Sequence, residues 1–142
     1  MQARDVMTSA VECVAPNATL QEAGMKMLSF NVGALPVCED DQLVGMLTDR
    51  DIILRSVAQG LDPNLEIVQD VMTPDVAYCT EEQDLAEVAS LMRDKQIRRL
   101  PVLDGMRRLV GIVSLGDLAV SAPDQQLSGE TLKGISEPTV SS

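Results

Sequence analysis

The chain has 142 residues, enough for one compact domain or two small units sharing a core, and 45% of them are hydrophobic, too many for a disordered segment. Eleven basic residues against 22 acidic ones leave a net charge of -11, which repels a polyphosphate backbone and an anionic membrane surface alike. Only Phe30 and Tyr78 are aromatic, so aliphatic side chains and eight methionines must fill the interior. Six of the eleven basic residues, Arg93, Lys95, Arg98, Arg99, Arg107 and Arg108, cluster in the second half and leave room for one small anion. The opening MQARDVMTS has neither the basic nor the apolar region of a secretory signal, and no apolar run is long enough to span a bilayer. Cys13, Cys38 and Cys79 have no CxxC spacing and read as buried, reduced thiols, with no histidine in the chain to activate them. A cytoplasmic protein is expected.

The elements, taken in order, occur twice. Val6-Met7-Thr8 is followed by a short strand, Val11-Glu12-Cys13-Val14. Thr19 with Glu22 marks a capping box, and Leu20, Ala23, Met27 and Leu28 give the helix behind it an apolar face. A hairpin pairs Ala34–Cys38 with Leu43–Leu47, and the acidic run Glu39-Asp40-Asp41 reads as its solvated tip. A last helix starts near Asp49. The turn-rich stretch Gln59–Asn64 then provides a linker, set at 61–65 between repeats spanning 1–60 and 66–121.

The second pass runs from Val71-Met72-Thr73 through the strand Val76-Ala77-Tyr78-Cys79 and a helix capped by Asp84 with Glu87. Leu85, Val88, Ala89 and Met92 are its apolar face; Arg99–Leu103 against Leu109–Val113 is its hairpin, and a helix begins near Gly116. Val6-Met7-Thr8 and Leu35-Pro36-Val37 recur 65 positions on, while Leu43-Val44-Gly45 and Asp51 recur 66 on, so the one inserted residue falls in a hairpin loop. The expected fold is α+β, with two β-α-β-β-α repeats packed around a pseudo-twofold axis, since one copy alone would bury too little surface. Residues 122–142, rich in Ser, Gly, Pro and Gln, are expected to form a mobile tail with a helical turn near Glu130–Ile135.

Met-Thr before a strand, then Leu-Pro-Val leading to Gly-Met-Leu-Thr-Asp-Arg-Asp, resembles a cystathionine-β-synthase (CBS) domain. Arg-Arg-Leu-Pro-Val and Gly-Ile-Val-Ser-Leu-Gly-Asp supply the second copy, so residues 5 to 121 resemble a free-standing CBS pair, or Bateman module. The resemblance implies a cleft between the copies with one potential ligand site per copy. It assigns Asp51 and Asp117 to ribose hydroxyls and Thr48 and Ser114 to phosphate. The chemistry is sound on its own terms: a carboxylate accepts from both hydroxyls of a cis-diol, and a hydroxyl at a helix start joins an anion site. The same residues also suit plain helix caps and dipole partners.

By the same resemblance the base would stack among Ala10, Val11, Ala34, Leu35 and Pro36 in one pocket and Asp75, Val76, Leu100 and Pro101 in the other. Arg99 would read phosphate in the second copy, where the first has Ala34; an arginine fork suits phosphate. Adjacent strand residues face opposite ways, so only one of Arg98 and Arg99 should enter the site. The first copy is left to bind an uncharged portion, to borrow an arginine, or to stay empty. The implied function is a non-catalytic regulatory module sensing AMP, ADP, ATP, NAD or S-adenosylmethionine, with no required cofactor or metal, a homodimer through its helices, and an unknown regulated protein as partner. The alternative is a ligand-free interaction or dimerisation domain. An enzyme is disfavoured because no close carboxylate pair, nucleophile with its base, or metal cluster is evident.

Overall fold

A computed structural model describes residues 1–121; the expected tail of residues 122–142 and its helical turn lie outside the described residues. The elements are α1 (Ala3–Val6), α2 (Leu20–Phe30), β1 (Ala34–Glu39), β2 (Gln42–Thr48), α3 (Asp49–Arg55), β3 (Thr73–Pro74), β4 (Cys79–Thr80), α4 (Leu85–Lys95), β5 (Arg99–Leu103), β6 (Leu109–Ser114) and α5 (Leu115–Ser121). Short 3-10 turns occupy Val57–Gln59 and Val68–Asp70.

The chain divides into two compact units. One, the first-hairpin unit, runs from Glu12 to Val76; the other, the second-hairpin unit, joins Met1–Val11 to the described residues that follow Val76. Each sequence repeat thus lends its opening segment to the unit built by the other repeat's hairpin.

In the first-hairpin unit the sheet order is β1-β2-β3, with β1 and β2 antiparallel and β3 adding on the far side of β2. Val14 bridges Val37 in parallel on the other edge. Asp40 and Asp41 both take positive φ, 52° and 67°, the backbone of a two-residue type I′ turn, and the expected acidic tip is exposed. Leu20, Ala23 and Met27 of α2 pack with Leu35, Val37, Leu47, Val68 and Val71 into one core. Thr19 caps α2 by accepting from the Glu22 backbone N–H at 3.1 Å, and Asn31 ends it in the left-handed conformation.

The second-hairpin unit repeats the plan. Its sheet order is β4-β5-β6, with β4 parallel to β5, and Thr8 bridges Ile112 on the far side of β6. Ala3 and Val6 of α1 join Leu85, Val88, Ala89, Met92, Leu100, Val102 and Val113 in the core. Asp84 caps α4 through the Ala86 N–H at 3.2 Å, one residue earlier than a capping box with Glu87 would require. The longer hairpin loop is folded around Asp104, whose carboxylate accepts from the Met106 and Arg108 N–H groups at 2.8 and 2.9 Å and from Arg108 Nε at 3.0 Å. Those bonds hold the Asp104 carboxyl below its ordinary range, the Arg108 backbone N–H contributing most.

Two glycines explain why Met-Thr and Val-Gly recur together. A Cβ on Gly45 would sit 2.7 Å from the Thr73 carbonyl oxygen and 2.8 Å from Met72 sulfur. One on Gly111 would lie 2.9 Å from the Thr8 carbonyl and 2.6 Å from Met7 sulfur. Each Met-Thr pair therefore lies against a strand that has no side chain at the crossing point.

The short strands expected at Val11–Val14 and Val76–Cys79 are reduced in the structure. Only Val14 pairs in the first, and β4 keeps Cys79 and Thr80 of the second region. Only Val14 and Cys79 of these segments are buried, so the residues before them have too little buried face to hold a longer ladder. Cys38 and Cys79 are buried as expected, whereas Cys13 is half-buried because the segment carrying it runs along a sheet edge.

Candidate functional site

At the end of each hairpin the chain turns directly into a two-turn helix, and the expected polar residues sit at that junction. Thr48 Oγ1 accepts from the Asp51 N–H at 3.0 Å, and Asp51 Oδ2 accepts from the Thr48 N–H at 3.0 Å. Ser114 and Asp117 form the same reciprocal pair, at 3.1 Å and 2.8 Å. Both pairs are capping boxes, so the structural role of these four residues is established by geometry.

The caps leave functional capacity unspent. A hydroxyl that accepts from a backbone N–H still carries its own proton, so Thr48 and Ser114 remain donors. Each aspartate uses Oδ2 for its cap and retains Oδ1. In the first-hairpin unit Arg55 Nη2 lies 3.9 Å from Asp51 Oδ1; among the described residues Asp117 Oδ1 has no such neighbour. Because α3 and α5 are only seven residues each, the side chains rather than a helix dipole must provide any anion affinity.

Strand register decides what stands opposite each hydroxyl. Ala34 pairs with Thr48, and Arg99 pairs with Ser114. Arg99 is exposed and, like Arg98, makes no ion pair with any described residue; Glu82 pairs with Arg4 at 3.1 Å. Arg107 and Arg108 are engaged elsewhere: Arg107 lies over the Tyr78 ring, 5.8 Å from its centre, and Arg108 is held by Asp104. At the matching place in the first-hairpin unit the Asp49 carboxylate lies where a Cβ on Gly33 would meet it at 3.0 Å. Leu115 replaces that aspartate in the second. One junction is thus acidic around Asp49 and Asp51, and the other has Arg99 in register with Ser114, with no ion pair to Arg99 among the described residues.

The remaining expected site residues are divided by unit. Ala34, Leu35, Pro36, Asp75 and Val76 belong to the first-hairpin unit, and Ala10, Val11, Leu100 and Pro101 to the second-hairpin unit. Leu35 and Leu100 are core residues, 1% and 0% exposed, and Pro36 and Pro101 are buried beside them. Ala10 and Asp75 are exposed, with Asp75 in the left-handed conformation at φ 51°, and Val11 and Val76 are half-buried. Sequence reasoning did not single out Asp49, although its place directly after Thr48 put it at the same junction.

Two such hairpin units, each closed by a Met-Thr segment and a capped helix, define a class, and sequence comparison agrees. The CBS-domain family model matches residues 3–58 and again residues 68–122. The chain belongs to the CBS-domain family. It is 45% identical over 137 residues to the CBS domain-containing protein YhcV of Bacillus subtilis, covering 96% of both chains. It is also 39% identical over 137 residues to hypoxic response protein 1 of Mycobacterium tuberculosis, covering 96% of this chain and 94% of that one.

A crystal structure of hypoxic response protein I with two coordinated zinc ions matches the fold with a TM-score of 0.80 and 40% identity, over 87% of this chain and all of that one. A structure of CBSX2 in complex with AMP matches with a TM-score of 0.74 and 28% identity, over 85% of this chain and 95% of that one. This chain has no histidine, and among the described residues no group of three or more cysteine or acidic side chains is placed to hold a metal ion. Among the described residues no helix is long and apolar enough to cross a membrane.

Proposed function

We propose that the protein is a non-catalytic regulatory module that binds an adenine nucleotide, or a related adenosyl ligand, at the hairpin-to-helix junctions, with the second-repeat junction reading phosphate. The observation that carries this reading is the register of Arg99 with Ser114. It sets a guanidinium with no ion-pair partner among the described residues across from a hydroxyl whose proton is free to donate. Asp117 Oδ1 is the acceptor for ribose hydroxyls, and exposed Ala10 and half-buried Val11 supply apolar surface for the base, with Leu100 and Pro101 buried in the same unit. At the first-repeat junction Asp51 and Thr48 offer the same ribose contacts without a phosphate partner, and half-buried Val76 and exposed Asp75 are the accessible residues of the same unit for a base, Ala34, Leu35 and Pro36 being buried. That site takes an uncharged portion of a ligand or stays empty. The AMP bound to the fold relative CBSX2 supports the ligand class.

The test is a melting-temperature panel with AMP, ADP, ATP, NAD and S-adenosylmethionine. A ligand at a hundredfold over its Kd adds about 2.7 kcal/mol of stability. Asp117→Asn keeps an acceptor for the cap and removes the charge, so it should weaken the best ligand by about tenfold, charge-assisted hydrogen bonds being roughly twice as strong as neutral ones. No shift with any of the five would favour the ligand-free interaction domain instead.

The regulatory output is carried by a homodimer. Met25, Leu28 and Phe30 of α2 and Ile53 and Leu54 of α3 are exposed, Leu28 by 84%, in a unit where α2 and α3 pack together. Ligand biases a separate regulated protein to the extent that it binds one arrangement of the dimer more tightly than another.

A further inference from the structure

Arg55 of α3 is tied at one nitrogen and open at another. Its Nη1 donates to the Val71 carbonyl at 3.0 Å and to the Met72 carbonyl at 3.2 Å, which fixes the guanidinium against the segment leading into β3. Nη2 then lies 3.9 Å from Oδ1 of Asp51, one turn earlier on the same helix. A charge-assisted N–H···O bond is about 2.7 to 2.9 Å long, so these two atoms face each other across a gap instead of bonding. Asp51 spends Oδ2 on the Thr48 N–H at 3.0 Å, and neither Oδ1 nor Nη2 has a hydrogen bond among the described residues. The Arg55 side chain is 50% exposed and that of Asp51 15%, so a solute reaches both groups. As an ion pair the contact is worth little at such exposure. As a fixed donor beside a fixed acceptor it is the complement of one hydroxyl group, which donates its proton to Oδ1 and accepts from Nη2. The position equivalent to Arg55 in the second repeat is Ser121, so this donor belongs to the first repeat alone.

We propose that Arg55 is a ligand-binding residue of the first-repeat junction, and that the gap between Asp51 and Arg55 takes one hydroxyl of an uncharged vicinal diol, the ribose of a nucleoside. This rests on the ligand class proposed above and gives the first junction a different portion of that class from the second. The other hydroxyl of the cis-diol donates to the second lone pair of Oδ1. The guanidinium adds no phosphate affinity here. Its charge is matched by Asp51, Asp49 follows Thr48 at the same junction, and Lys26 and Arg50 are the only other basic residues between Glu12 and Val76. Held by two carbonyls, the guanidinium has little freedom left to lose when a ligand arrives, so the donor is preorganised.

The experiment isolates the first junction with Asp117→Ala, which removes the ribose acceptor of the second. Adenosine and 2′,3′-dideoxyadenosine, which lacks the diol, are titrated calorimetrically into the full chain with and without Arg55→Gln. The glutamine amide keeps N–H groups for the Val71 and Met72 carbonyls and has no further nitrogen to face Asp51; melting curves establish that each variant is folded. The Asp117→Ala chain should bind one adenosine, about tenfold or more tightly than the dideoxy form. Adding Arg55→Gln should cost adenosine about tenfold and the dideoxy form little, and Arg55→Ala should erase the same preference. Equal losses for the two nucleosides would reduce Arg55 to a structural tie and overturn the proposal, as would an unchanged affinity for adenosine. An Asp117→Ala chain that binds no adenosine while the native chain binds AMP would overturn it too and leave the second junction standing. Failure of the native chain to bind either ligand would overturn the ligand class and this proposal together.

Discussion

The two hairpin-to-helix junctions have one backbone and two chemistries. Thr48–Asp51 and Ser114–Asp117 form the same capping box to within about a few tenths of an ångström, yet the residues around them differ in sign. Gly33, Ala34 and Asp49 surround the first, and Arg98, Arg99 and Leu115 the second. Duplication preserved what the fold requires at both places, namely the cap, the hairpin register and the glycine crossing. What the fold does not require was free to diverge, and that is where the proposed ligand preference resides. The outer helices diverge in the same way: Met25, Leu28 and Phe30 of α2 correspond to Ser90, Arg93 and Lys95 of α4. The first-hairpin unit therefore carries an apolar outer helix surface, and the second-hairpin unit a charged one.

The shared features should break alike. Gly45→Ala and Gly111→Ala should each cost about 1 to 3 kcal/mol, because a backbone carbonyl stands in the way and overpacking cannot be relieved by a rotamer change. Denaturant unfolding of the two variants measures this, and a cost confined to one of them would deny the equivalence of the crossings. Gly33→Ala is the contrast: its Cβ meets the movable Asp49 side chain, so its cost should be the smallest of the three. Thr48→Ala and Ser114→Ala each remove one cap acceptor and should cost about 1 kcal/mol. Unequal losses would show that one cap is reinforced by contacts the other lacks.

The divergent features should break separately. Leu28→Glu is expected to convert a dimer to a monomer in light scattering at micromolar concentration, whereas Arg93→Glu leaves it dimeric. Monomer in the unsubstituted protein would remove the dimer from the account. The remaining effect is on pH. Burial raises Cys38 to about 12 and Cys79 to about 11 from an ordinary 9.0, so the folded state resists ionising them while the unfolded chain does not. Their contribution to stability is full below pH 9 and is lost as the pH rises toward 11 and 12. A melting temperature that stays level through that alkaline range would contradict it.

Much of this was legible in the residues. The recurrence of Leu-Pro-Val 65 positions on and of Leu-Val-Gly 66 on placed both hairpins to within about one residue, and Thr or Ser three residues before Asp announced both caps. The exchange of opening segments was not legible, because a repeat offset is the same whichever hairpin the Met-Thr segment packs against. Gly45 and Gly111 carried the only hint, and it becomes readable once the crossing is seen. The shortness of the edge strands was hidden too: Val11–Val14 has strand propensity but too little buried face to extend a ladder.

The central claim, that the second junction reads phosphate through Arg99, is tested most directly by calorimetric titration of AMP and adenosine into the native chain and Arg99→Ala. The expected result is a loss of roughly tenfold or more for AMP, a charge-assisted contact being worth about 1.5 to 3 kcal/mol, with adenosine nearly unchanged. Equal losses for the two ligands, or none for either, would contradict the assignment.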